Sequence, residues 1–231
     1  MAILRLVREW PDTAEALIRE QDELAGATPP RWRPTEDAAI AGCFVCFERG
    51  KTGPGQAGDP GWAGAALFRG DRRDASAVVT GTAGAAYEPG LLALREGRLL
   101  ENAVLGLVEK PDLLLVNATG RDHPRRAGLA LHLGAVLDVP TVGITHRLLV
   151  ADGVWPNDER GATSPFHVEG ERVGYWLRTR PGTRPLAVHA AWRTDADTAV
   201  AAAAAIIGTT RTLEPLREAR RLARTARAGR R

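Results

Sequence analysis

Two hydrophobic rhythms run through this 231-residue chain. The first is helical. Ala16, Leu17, Leu24 and Ala25 recur on one face of a helix that Asp12 or Thr13 can cap. The connector Pro29-Pro30-Arg31-Trp32-Arg33-Pro34 ends it. The second rhythm is a run of short apolar segments. Ile40–Phe47 is bounded by polar residues and predicts a buried strand, and the Gly-rich stretch from Gly50 to Gly61 predicts a hairpin loop. Ala63–Phe68 and Ala75–Thr82 predict two further strands, so the domain begins as an antiparallel meander.

Helices then alternate with strands. Leu91–Val108 predicts a helix, Leu113–Val116 a strand, Arg126–Leu137 a helix and Thr141–Ile144 a strand. Such alternation indicates parallel pairing through right-handed crossovers. A hairpin follows, Phe166–Glu169 and Arg172–Thr179, then a strand at Leu186–Ala190 and a helix at Asp195–Ile207 capped near Thr194. The expected architecture is an α/β mixed sheet, a meander followed by parallel units, flanked by helices. Residues 1–210 are expected to form one domain, with 211–231 a basic tail, helical or frayed.

Composition adds limits. Hydrophobic residues make up 44% and charged residues 26%, a balance that suits a packed core rather than disorder. No run approaches the roughly 20 apolar residues of a membrane helix. Met1–Arg8 lacks a secretory pattern, so a cytoplasmic protein without a membrane partner is expected. The formal net charge of +3 conceals a split. Residues Arg217–Arg231 hold seven arginines and one acid, a net of +6, leaving the body at −3. A basic tail points to nucleic acid or to a solvated helix.

Several chemistries can be weighed from the residues. Cys43-x-x-Cys46 resembles a redox or zinc pair, but residues three apart on a strand face opposite sides, so two buried inert thiols are expected. No His-x-x-x-His pair, P-loop, Gly-x-Gly-x-x-Gly or Gly-x-Ser-x-Gly motif occurs. His123-Pro124-Arg125-Arg126 lies between a central strand and a helix start, where α/β proteins place ligands and where two arginines suit an anion. Tyr87-Glu88-Pro89-Gly90 predicts a rigid turn that presents an aromatic ring.

Together these blocks resemble endonuclease V, the deoxyinosine-directed 3′ endonuclease family. The resemblance rests on Tyr87-x-Pro89-Gly90-Leu91-Leu92-x-x-Arg95-Glu96 and on Leu113–Gly120 followed by His123-Pro124-Arg125-Arg126-x-Gly128. His132-x-Gly134 and Leu137–Ile144 continue it. It implies an RNase H-like fold, a Tyr-containing wedge, a pocket for extruded hypoxanthine, and Mg²⁺ held by two aspartates and one glutamate. Tyr87 and Pro89 match the wedge. Gly90, Leu92, Gly120, His123 and Gly128 match positions around the base, with Arg125 and Arg126 beside them, and Glu96 matches the catalytic glutamate.

Four catalytic positions depart from the family pattern. Phe44 stands at the first aspartate and Asn117 at the second, with His146 at the lysine and Trp192 at the late histidine. Mg²⁺ relies on carboxylate oxygens, and a phenyl ring offers none. Asp122 or Glu88 could supply a substitute ligand, but neither occupies the lost strand positions. The expectation is therefore a catalytically degenerate relative, without a resident metal, that binds DNA or RNA or a modified base. Two alternatives remain open. One is an enzyme acting on a small molecule, with Asn117, His146 and Trp192 converging on a new site; the other is an active endonuclease with a rearranged metal site.

Overall fold

The computed structural model describes residues 10–48, 50 and 53–229. The octet Met1–Arg8, read above for a secretory pattern, lies outside these residues, as do the tail residues Arg230 and Arg231. In chain order the elements are α1 (Ala14–Ala25), β1 (Ile40–Phe47), β2 (Pro60–Arg69), β3 (Arg72–Thr82) and α2 (Leu92–Leu105). Next come β4 (Leu113–Val116), α3 (Leu129–Leu137), β5 (Thr141–Thr145), β6 (Thr163–Val168) and β7 (Glu171–Leu177). β8 (Leu186–Ala190), α4 (Ala196–Ala205) and α5 (Glu214–Ala228) complete the order.

All eight strands form one sheet in the order β3-β2-β1-β4-β5-β8-β7-β6. β1 pairs parallel with β4, and β4 with β5; the remaining pairings are antiparallel. The sequence explains this order. Leu113–Val116 is apolar at every position and is buried on both faces, as a central parallel strand must be. β3 alternates along its length, as an edge strand with one wet face does. β6, at the other edge, tolerates Pro165 because an edge strand needs only half its ladder.

Helices cover both faces. α1, α2 and α3 enclose a core that includes Leu17, Leu24, Leu100, Leu114, Leu131 and Leu133. α4 packs on β7 and β8, and α5 on β1 and β2. Along β1 the faces alternate. Ala41, Cys43 and Val45 join the α1–α3 core, whereas Phe44 and Cys46 group with Ala223 of α5. Both cysteines are buried on opposite faces of one strand, and burial pushes the Cys43 thiol pKa up. Among the described residues, no helix is long and apolar enough to cross a membrane.

Three expectations are corrected. The helix expected from Arg126 begins at Leu129, because Arg126 adopts φ +56° and closes a turn. The cap of α4 is Asp195, which accepts from the Thr198 amide at 2.7 Å. Thr194 instead ties Ala191 to Thr141. The largest change concerns 211–231, expected as a tail outside the domain. Its helix α5 is packed on the sheet, with Leu216, Ala219 and Ala223 buried. Two strand glycines admit it. A Cβ on Gly42 would lie 2.4 Å from Pro215 backbone, and one on Gly64 2.6 Å from the Ala219 carbonyl oxygen.

Candidate nucleic-acid site

The parallel strands β1, β4 and β5 end at one side of the sheet, and the segments after β4 and β5, with the turn before α2, build a cavity there. Its volume is about 170 Å³. Tyr87, Gly90 and Leu92 line one wall, and Asn117, Ala118 and His123 another. Gln21, Thr145 and Leu149 also line it. The space is smaller than the roughly 300–1,000 Å³ that takes drug-sized ligands. It suits a single planar ring system.

One carbonyl organises the entrance. The Gly90 oxygen accepts hydrogen bonds from Gln21 Nε2 at 3.0 Å, His123 Nε2 at 3.1 Å and an Arg125 amino group at 3.2 Å. Gly90 sits at φ +80°, a backbone conformation that favours glycine. The Arg125 amide donates to His123 Nδ1 at 3.2 Å, so His123 is a neutral ring with its proton on Nε2. Burial lowers its pKa to about 4, the Gly90 bond opposing the shift and Arg125 adding to it. Tyr87 is anchored by its amide to the Pro54 carbonyl and leaves its ring half exposed at the mouth.

This network reassigns the two arginines expected to meet an anion. Arg125 is committed to Gln21 Oε1 at 2.6 Å and to Gly90. Arg126 is committed to the Val168 carbonyl and to Glu171 at 2.6 Å. Both hold loops together, and neither stands at a helix N-terminus, because α3 starts later. Gly120 and Gly128 do not line the cavity. A Cβ on Gly120 would strike the Ala190 carbonyl oxygen at 2.1 Å, and one on Gly128 the Thr119 oxygen at 2.5 Å, so they allow close loop packing. Pro89 lies exposed in the turn beside Glu88. Gln21 is the residue that sequence reading missed; the available signal was a glutamine within the Leu17–Leu24 apolar stripe of α1.

The substituted positions separate. Cys43 pairs with Val116 in the β1–β4 register, so Phe44 and Asn117 are the next residues along neighbouring strands. The Phe44 ring faces α5, with the guanidinium carbons of Arg220 and Arg224 at 5.1 and 5.9 Å from its centroid. Glu96, on α2, is buried enough to push its carboxyl pKa up to about 8, opposed by the Arg95 charge. His146 accepts from Arg211 at 3.1 Å through Nδ1, and burial, Arg211 and Arg220 all lower its pKa.

Trp192 stands at the opposite end of β5, where its backbone pairs with Thr141 and its side chain packs on Gly134 of α3. A wider cleft of about 410 Å³, walled partly by Arg31, Arg121 and Arg172, opens beside it. Trp192 therefore lies at the other end of β5 from Asn117 and His146.

The donor set does not fit Mg²⁺. A phenyl ring and a neutral amide occupy the two strand positions, and one partly buried, readily protonated carboxyl remains. Among the described residues, no three of His, Cys, Asp and Glu gather around a point that could hold a metal ion. Asp122 is not a substitute. Its carboxylate accepts from the amides of Leu149, Val150 and Ala151, each at 2.8 Å, and so shapes the loop after β5.

A family model for endonuclease V matches residues 37–221. Endonuclease V of Streptomyces avermitilis is 31% identical over 230 residues, covering 98% of this chain and 97% of that protein. Endonuclease V of Roseiflexus sp. is 45% identical over 114 residues, which is 49% of this chain and 51% of that protein. That of Methanopyrus kandleri is 44% identical over 154 residues, covering 67% of this chain and 65% of that protein. The chain thus spans about half to two thirds of the length of these last two relatives.

The crystal structure of an endonuclease V from Streptomyces avermitilis superposes with a TM-score of 0.84 at 30% identity, covering 99% of each chain. An endonuclease V from Ciona intestinalis, in complex with a DNA containing an inosine followed by a ribo-adenosine, shares the fold with a TM-score of 0.73 at 18% identity. That match covers 94% of this chain and 99% of that one. Motif order, strand order and near-complete alignment agree: the chain belongs to the endonuclease V family and carries its RNase H-like fold.

Proposed function

We propose that this protein is a non-cleaving member of the family that binds a nucleic-acid strand, receiving an unstacked base in the cavity beneath Tyr87. The observation that carries the reading is an open, base-sized cavity next to strand positions that hold no carboxylate. Tyr87 offers a stacking surface at the mouth, and Leu92 an apolar wall. The Asn117 amide supplies a polar edge that a base can meet. The complex of the Ciona relative with inosine-containing DNA supports strands of this kind as the substrate class.

Loss of cutting follows from the donors. A metal-assisted cut needs charge to stabilise both the attacking and the leaving oxygen. Phe44 and Asn117 supply none, and the neutral His146 ring replaces a cation. The residues that remain bind and orient. Gln21, His123 and Arg125 hold the Gly90 turn, which aims Tyr87; Asp122 holds the loop on the far side of the cavity.

Fluorescence anisotropy with inosine-containing and plain strands at low salt tests the reading. Binding to the inosine strand is expected, weakened by Tyr87→Ala by about 1–3 kcal/mol, the usual worth of one base–aromatic stack. Absence of binding to either strand would sink it.

A further inference from the structure

α5 distributes its arginines unevenly. Arg217 makes a two-point pair with Glu214, and Arg221 does the same with Glu218. Arg227 donates to the Phe47 carbonyl at 3.0 Å. Arg220 and Arg224 have no carboxylate within salt-bridge distance among the described residues. Instead both lie over the Phe44 ring, one helical turn apart. Arg220 is half-buried and Arg224 exposed, so two like charges share one ring with no acid between them, and the half-buried one bears the cost of desolvation. Burial, Arg224 and Arg211 together lower the Arg220 pKa, which reports that crowding.

Arg211 adds to that crowding, and it donates hydrogen bonds to the Arg184 carbonyl at 2.7 Å and to His146 Nδ1 at 3.1 Å. The proton of the neutral imidazole must then sit on Nε2, which no described residue accepts. Burial lowers the His146 pKa first, and the charges of Arg211 and Arg220 add to the shift. Phe44, beneath the two guanidiniums, and Asn117 follow the paired residues Cys43 and Val116 on neighbouring strands. The cluster thus stands immediately next to the base-sized cavity, which Asn117 also lines.

We infer that Arg220 and Arg224 form a phosphate clamp over Phe44, positioned to hold a backbone phosphate of the strand whose base enters the adjacent cavity. The inference rests on the nucleic-acid reading above and names the element of it that supplies affinity. Planar guanidiniums present paired N–H donors that match phosphate oxygens, and the phenyl ring beneath keeps them splayed and partly dry. Positive charge here comes from fixed side chains. They neutralise a phosphate but activate no water.

The clamp is tested by the salt dependence of strand binding, measured by anisotropy for the wild type and for the R220Q/R224Q double variant. Each lost phosphate contact lowers the slope of log K against log salt by roughly 0.7 on a single strand and 0.9 on a duplex. A slope lower by roughly 0.7–0.9 is expected for the one phosphate held, with R220K/R224K retaining most of the wild-type slope. Equal slopes for wild type and glutamine variant overturn the clamp, even when the wild type binds DNA well. Should the wild type bind no strand, the nucleic-acid reading fails, and a thermal-shift titration with inorganic phosphate and pyrophosphate decides the clamp separately. Stabilisation of the wild type and not of R220Q/R224Q upholds it as a site for free phosphate; no shift, or equal shifts, overturns it. Circular dichroism of both variants confirms that they are folded.

Discussion

At the scale of single residues, the site is governed by where each donor is already spent. His123 shows this. Its Nδ1 accepts the Arg125 amide and its Nε2–H meets the Gly90 oxygen, so protonation forfeits one bond and buries a charge. The folded pKa of about 4 lies below the ordinary 6.5. The unfolded chain therefore takes the proton first, and the stability contributed by the neutral ring is complete above 6.5 and lost between 6.5 and 4. The melting temperature of the wild type should fall more steeply over that window than that of His123→Asn; parallel curves would contradict the assignment. Tyr87, Gly90, Leu92 and His123 were legible because they lie in two compact motifs. For Arg125 and Arg126 the sequence could not show the partners inside the protein, a carbonyl for each and Glu171 for the second. Gln21 was invisible as a site residue because its partner Gly90 is 69 positions away.

At the scale of elements, short apolar runs bounded by polar residues were read to the residue, as Ile40–Phe47, Leu113–Val116 and Leu186–Ala190 demonstrate. Period and punctuation suffice when an element is buried on both faces. α5 defeated the same reasoning. Its buried stripe consists of Leu216, Ala219 and Ala223, which carry little hydrophobic signal beneath so many arginines. The matching half of the contact, Gly42 and Gly64, lies on strands far away in sequence. Helix and strand backbones approach closely only because both positions lack a Cβ. Gly64→Val should therefore lower stability by about 1–3 kcal/mol through overpacking, at roughly 2–4 °C of melting temperature per kcal/mol. Gly208→Ala, where an added Cβ meets nothing within 4 Å, is the control and should be nearly neutral. An unchanged melting temperature for Gly64→Val would show that α5 is not seated as described.

At the scale of the whole molecule, the charge split read from the sequence acquires a location. The arginines of 217–231 were legible as an excess, but not as a surface. Folding pairs several of them with acids and carbonyls, and brings Arg220 and Arg224 back over Phe44, at the first family metal position. The carboxylate substitution at Phe44 and the docked basic helix meet at one place. On the proposed reading, that place receives an anion rather than a cation. The family fold, the cavity and the Tyr87 turn are present, and Phe44 and Asn117 bring no carboxylate to the strand ends.

The most direct test of this account follows the fate of one labelled inosine-containing strand under excess protein and Mg²⁺. The sample is run on a native gel and then on a denaturing gel in the second dimension. The account predicts a strand that is retarded in the first dimension and intact in the second. A strand shortened at a site beside the inosine, and no longer so after Glu96→Ala, would contradict it.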